Sequence, residues 1–254
     1  MCSPWCQHLI GTRDTHLNPW FKAPKQDGKG GFASLDTKFM ANSEPQISAK
    51  KLKLRKQLRA KRNQAAQTLE NPAQQALTSQ LKQLRSYITA KKIAIYSPIG
   101  SEFPTISIIS DTHSLNKEIY IPRITSSQDH TMQFCLLRRD GQGNIQSKLQ
   151  KNIFNITEPQ DLSETIAIEA QALDIIFMPL LGFNKKGDRL GMGGGYYDRA
   201  LEFKNHDSSN PKPYLIGLAY ETQLSHDLIP QAWDIKLDAV ITERQIYHFN
   251  SALL

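Results

Sequence analysis

Cysteine is nearly missing from this chain. Cys2, Cys6 and Cys135 are its three examples in 254 residues, too few for a disulfide framework, so a reducing, cytoplasmic setting is expected. Cys2 and Cys6 with His8 match no zinc-ligand spacing. Long apolar runs are missing too, and nothing approaches the roughly 20 residues that a membrane-spanning helix needs. The opening MCSPWCQHLIGTRDTH has no basic stretch followed by an apolar one, so no secretory signal is expected. What is present, 39% hydrophobic and 22% charged residues, suffices for one sizeable α/β domain with a full core.

A net charge of +7 points towards nucleic acid until it is located. Residues 50–62, KKLKLRKQLRAKR, hold eight basic residues and no acidic one, which leaves the remainder close to neutral. The basicity is one segment. Residues 48–67 lack Gly and Pro and are rich in Leu, Lys, Arg, Gln and Ala, which predicts a helix capped by Ser48. Leu54 and Leu58 share its buried face. The basic residues are a solvated face or a polyanion contact, and on their own they favour RNA over a nucleotide.

The densest chemistry lies in residues 182–201, GFNKKGDRLGMGGGYYDRAL, entered from the apolar run LDIIFMPLL at 173–181. Ile175, Ile176, Phe177 and Met178 are continuously apolar, as in a parallel strand buried on both faces. Gly187, Gly191, Gly193, Gly194 and Gly195 follow, a loop whose backbone can approach a ligand closely. YYDRALEF, residues 196–203, predicts a helix, so free loop amides and a helix start would meet at one anion site. Lys185, Lys186 and Arg189 add cations, and Asp198 puts a carboxylate in the first helical turn. That set suggests a magnesium nucleotide. A plain structural turn stays open. A Walker loop is excluded because Tyr196 and Tyr197, not Lys-Ser/Thr, follow Gly195, and no spacing of these glycines gives a dinucleotide fingerprint.

Elsewhere, Asn71-Pro72 is expected to break the chain before a helix over 73–87 with Leu77, Leu81 and Leu84 on one face. Strands are expected at 91–97, 117–122, 131–137 (antiparallel), 214–220 and 237–242, the last two closing the fold. GQGN at 141–144 reads as a turn, Glu158-Pro159 as a rigid turn, and 206–213 as an exposed connection. Glu102 falls in a loop at the carboxyl end of the first strand, where open α/β sheets bind ligands, although a lone Glu is usually solvated.

RLGMGGGYYDR, preceded by MPLLGF, resembles the signature of the 5-formyltetrahydrofolate cyclo-ligase family, also called 5,10-methenyltetrahydrofolate synthetases. The resemblance spans residues 48–244, with Asn184 standing where an Asp is common. It implies ATP-dependent closure of 5-formyltetrahydrofolate to 5,10-methenyltetrahydrofolate through a phosphorylated formyl oxygen. It also implies Lys51 and Arg55, with Arg189, Leu190, Gly191, Met192, Gly193, Gly194, Gly195, Tyr196 and Tyr197, at ATP. Lys51 and Arg189 would be the catalytic cations. Ser97, Glu102, Met192, Gly193, Gly194, Gly195 and Tyr196 would face the folate, and Asp198 and Asp234 would hold Mg²⁺.

The fold expected is a single three-layer, Rossmann-like α/β domain over 47–254 with a mostly parallel sheet, preceded by a basic helix. Residues 1–46 are expected to be a disordered or non-native extension, with Met40 a possible start. The partners expected are small molecules, without nucleic acid or membrane, on a monomer. Another magnesium-nucleotide kinase and an RNA-binding protein remain the rivals.

Overall fold

A computed structural model describes residues 36–138, 140, 145–160, 166–206 and 212–250, with side chains from 47 on except those of 70 and 71. The chain divides into two compact units, 1–42 and 43–254, and the sheet lies entirely in the second. The expectations for residues 1–35, the turn at 141–144 and most of the 206–213 connection lie outside the described residues.

Helix α1 (Asp36–Leu81) carries the basic segment. It corrects two expectations at once, because Ser48 lies inside the helix instead of at its start and Pro72 interrupts nothing, and residues 36–46 belong to the same helix. Pro72 is exposed, so its ring meets solvent, while buried Ala65, Ala73 and Leu77 on either side pack into one apolar cluster. Packing outweighs the one backbone hydrogen bond that proline forfeits. The helix stops at Leu81, and after a turn Leu84 precedes the short α2 (Arg85–Thr89). Leu77, Leu81 and Leu84 are all buried, as their spacing requires.

The remaining elements follow in chain order: β1 (Lys92–Ala94), α3 (Ile106–Ser114), β2 (Glu118–Ser126), β3 (Thr131–Leu136), β4 (Leu149–Lys151), β5 (Thr157–Pro159), β6 (Ala167–Ile168) and β7 (Ile175–Pro179). Then come β8 (Gly182–Phe183), β9 (Arg189–Leu190), α4 (Tyr196–Ala200), β10 (Tyr214–Leu218), β11 (Ala239–Ile241) and β12 (Ile246–His248). Eight of these strands form one sheet in the order β12-β11-β10-β7-β1-β2-β3-β6. The run from β11 to β2 is parallel, and β12, β3 and β6 pair antiparallel at the two sides.

Both faces of the sheet are dry, which explains the unbroken apolar run in β7. Ile175 and Phe177 join Ile93, Ile95, Ile216 and the helical leucines on one side. Ile176 and Met178 join Ala94, Leu215, Val240 and Leu201 on the other. The first side is covered by α1, α2 and α3. The second is covered more lightly, by α4, a 3-10 turn (Glu202–Asn205) and loops.

Three local expectations are corrected. Residues 182–190 are a β8–β9 hairpin rather than open loop. Glu158-Pro159 sits in β5, paired with β4, not in a turn. Strand β12 follows the one expected to be last, whereas the helix expected over 196–203 is present as α4 and the 3-10 turn that follows it.

From β1 the chain moves to β2 on one side, and β7 later takes the other side of β1. The loops leaving the carboxyl ends of β1 and β7 therefore diverge around a crevice, the place where such sheets take ligands.

Candidate active site

That crevice is a cavity of about 790 Å³. It receives the first stripe of α1, because Lys51, Arg55, Arg59 and Arg62 are spaced by four, four and three residues and share one helix face. Leu54 and Leu58 beside them pack on Leu181 and Leu190, and the helix comes so near β8 that a Cβ on Gly182 would lie 2.5 Å from Leu58 Cδ1. The hydrophobic pair thus seats the cations at the crevice.

The cations then grip the glycine loop. Arg55 Nε donates to the Gly191 carbonyl at 3.0 Å, and a guanidinium nitrogen of Arg59 lies 3.7 Å from Met192 Sδ. Gly193 has φ +106°, so this position favours glycine by conformation. Gly195, at φ +70°, precedes α4 and aims Tyr196, Tyr197 and Asp198 at the cavity.

Two carboxylates face these cations. Arg189 donates to Asp198 Oδ1 at 2.5 Å, and the same oxygen accepts the Ile235 amide at 3.3 Å. Asp234 Oδ2 accepts the Gln231 amide at 2.9 Å and lies 3.3 Å from Lys51 Nζ, which also donates to Gln231 Oε1 at 2.9 Å. The Ile235 bond brings the Asp234 loop beside Asp198. Buried Arg189 Nε makes no hydrogen bond among the described residues.

The floor comes from the loop after β1. Ser97 Oγ donates to the Thr157 carbonyl at 2.8 Å, which ties the β4–β5 hairpin to it. Glu102 accepts the Ile99 amide at 3.0 Å and faces Arg62 Nη1 at 3.6 Å. Burial pushes the Glu102 carboxyl above its ordinary range, opposed by the Ile99 N–H and Arg62. Burial likewise raises the Tyr96 and Tyr197 hydroxyls, which stay protonated. The remaining wall is apolar: Pro122, Ile124, Met132 and Ile156 line it, with Phe154, Met192 and Trp233 partly exposed at the mouth. The Tyr196 ring stands edge-on to His130 at 5.3 Å and Phe154 at 6.2 Å.

Every residue that the sequence singles out for ATP, folate or metal by resemblance lines this one cavity. Lys185 and Lys186 do not. Both are exposed at the tip of the β8–β9 hairpin, where the Asn184 side chain accepts the Lys186 and Asp188 amides at 2.8 and 3.1 Å. Pairing of β8 with β9 carries them outward and leaves Arg189 as the hairpin's cation at the cavity. Sequence reasoning missed Arg59, Arg62, Gln231 and Trp233. The helix-face spacing could have found the two arginines, but nothing periodic marks two residues in an irregular loop.

Fold and site together define an α/β protein whose crevice, at the switch point of a parallel sheet, combines cations, bare backbone, two carboxylates and an apolar wall. Residues 47–243 match the model of the 5-formyltetrahydrofolate cyclo-ligase family, and the chain belongs to that family. It is 32% identical to a 5-formyltetrahydrofolate cyclo-ligase of Haemophilus influenzae, over 74% of this chain and 95% of the relative. A mouse protein of the same name is 33% identical over 66% of this chain and 80% of its own. The NMR structure of Aquifex aeolicus 5,10-methenyltetrahydrofolate synthetase superposes with a TM-score of 0.63 at 26% identity, covering 79% of this chain and 93% of that one. No helix among the described residues is long and apolar enough to cross a membrane.

Proposed function

We propose that this protein closes 5-formyltetrahydrofolate to 5,10-methenyltetrahydrofolate at the expense of ATP, releasing ADP and phosphate. The observation that carries the reading is the meeting of Lys51, Arg55 and Arg189 with the 191–195 backbone around one cavity, in a chain of this family. A volume of about 790 Å³ lies towards the upper end of the roughly 300–1,000 Å³ usual for small-molecule sites, as two reactants require.

The formyl oxygen of a formamide is a poor leaving group. In this reading it attacks the γ-phosphorus and ADP departs. Nitrogen-10 then attacks the formyl carbon, the carbon–oxygen bond breaks, and phosphate leaves with that oxygen and the nitrogen-10 proton. Both steps need positioning and charge neutralisation more than a strong protein base. Lys51, Arg55 and Arg189 neutralise the phosphates, with amides of Gly191, Gly193, Gly194 and Gly195 beside them. Ser97, Glu102, Tyr196 and Tyr197 hold the folate, against the apolar wall that excludes water.

The donors present suit Mg²⁺. Among the described residues no cluster of three or more His, Cys, Asp or Glu offers a closed metal site, but Asp198 and Asp234 supply two carboxylates. A hard cation completed by phosphate oxygens and water asks for no more. Bound there, the ion neutralises polyphosphate charge, while the protein's part is to present Asp198 and Asp234 opposite Arg189 and Lys51.

Mixing protein, MgATP and 5-formyltetrahydrofolate tests the proposal. A near-ultraviolet band of the methenyl product growing in proportion to ADP is expected. ATP consumption without that band would indicate a kinase with another acceptor, and neither change would refute the reading.

A further inference from the structure

The last arginine of the α1 stripe behaves unlike the others. Lys51, Arg55 and Arg59 reach the Asp234 segment or the glycine loop, whereas Arg62 is only 4% exposed and turns into protein. Its Nε donates to Ser101 Oγ at 3.1 Å, and its Nη1 lies 3.4 Å from the Leu180 carbonyl and 3.6 Å from Glu102 Oε1. Ser101 and Glu102 follow β1, and Leu180 follows β7. Arg62 therefore fastens together the two loops that make the crevice.

A buried guanidinium keeps its charge and offers a planar fork of donors, so this contact does two things to Glu102. It opposes the desolvation that would protonate the carboxylate. It also fixes which way the carboxylate faces, together with the Ile99 amide on Oε2. Two oxygens with about four lone-pair sites leave acceptor capacity for a ligand in the cavity that Glu102 lines. The chemistry matched is a pair of adjacent N–H groups on a flat heterocycle, which the ring amide and amino group of a pterin present.

We propose that Arg62 is a positioning residue for the folate half of the site, holding Glu102 turned to accept the pterin N–H groups. The inference rests on the function proposed above. The groups around Glu102 are Arg62 from α1, Tyr96 just after β1 and Tyr197 from α4. Arg59 and Tyr220 act in turn on Arg62. Both tyrosines at Glu102 are neutral, so removing Arg62 leaves burial opposed by the Ile99 amide alone, and the carboxyl holds its proton to higher pH.

The test compares Arg62→Met, Arg62→Lys, Glu102→Gln and the double variant Arg62→Met/Glu102→Gln, varying MgATP and 5-formyltetrahydrofolate separately across pH. Arg62→Met is expected to raise KM for 5-formyltetrahydrofolate about tenfold or more, the loss of one charged hydrogen bond, with KM for MgATP nearly unchanged. The acid limb of kcat/KM for the folate should move to higher pH, and Arg62→Lys should recover part of both effects. The double variant should be no worse than Glu102→Gln. It removes both buried charges together, so it keeps the comparison available if an uncompensated Glu102 prevents Arg62→Met from folding. An equal rise in KM for MgATP, an unmoved acid limb, or losses that multiply in the double variant would overturn the role. Absence of turnover by the unsubstituted protein would instead strike the proposed function.

Discussion

Arg189 and Asp198 show how single residues divide the work. Arg189 is held at 2.5 Å from Asp198, and its buried Nε has no partner among the described residues. A hydrogen bond to a charged group is worth about 1.5–3 kcal/mol, and about 1.4 kcal/mol is a factor of ten in rate. Arg189→Ala is therefore expected to lower kcat/KM at least about tenfold, and near-normal kinetics would remove it from the site. Asp198→Asn should raise the Mg²⁺ concentration needed for half-maximal turnover, read from a metal titration at saturating ATP. An unchanged titration would take Asp198 out of the metal site.

At the level of the element, α1 brings a segment that resembles an RNA-binding face to the wall of the cavity. Lys51 and Arg55 line the cavity, while Lys53, Lys56 and Lys61 are exposed elsewhere on the helix. Replacing those three lysines by Gln is expected to leave KM for MgATP within about twofold, since exposed charges contribute little at a distance. Arg55→Ala should raise it clearly. Equal effects would make the helix a general electrostatic attractor.

The elements also show what the sequence could reveal. Leu54 with Leu58, the leucines of 77–84 and the unbroken β7 run were legible because burial imposes period and composition. The end of α1 was not, since packing around Ala73 and Leu77 carries the helix past Pro72. Strands β8 and β9 have two residues each, too short for any periodicity, so in the sequence the hairpin that carries Lys185 and Lys186 outward looks like loop. Arg62 was visible as one more basic residue, but its inward turn depends on Leu180 and Glu102, which only the sheet brings near.

For the whole molecule, the cavity joins segments more than 180 positions apart, as in Lys51 with Asp234. The strand order supplies that closure, with β1 flanked by β2 and β7. All cavity residues lie at Lys51 or beyond, so a chain beginning at Met40 is expected to keep its turnover and its melting temperature. Loss of either would show that residues 1–39 contribute to the fold or the site.

In the proposed reaction the inert formyl oxygen leaves once it carries the γ-phosphoryl group of ATP. Carrying out the reaction with 5-formyltetrahydrofolate labelled with oxygen-18 at the formyl group, and weighing the phosphate released, tests this most directly. One labelled oxygen per phosphate is the predicted result. Unlabelled phosphate alongside the methenyl product would mean that ATP is merely hydrolysed and that the formyl oxygen leaves by another route.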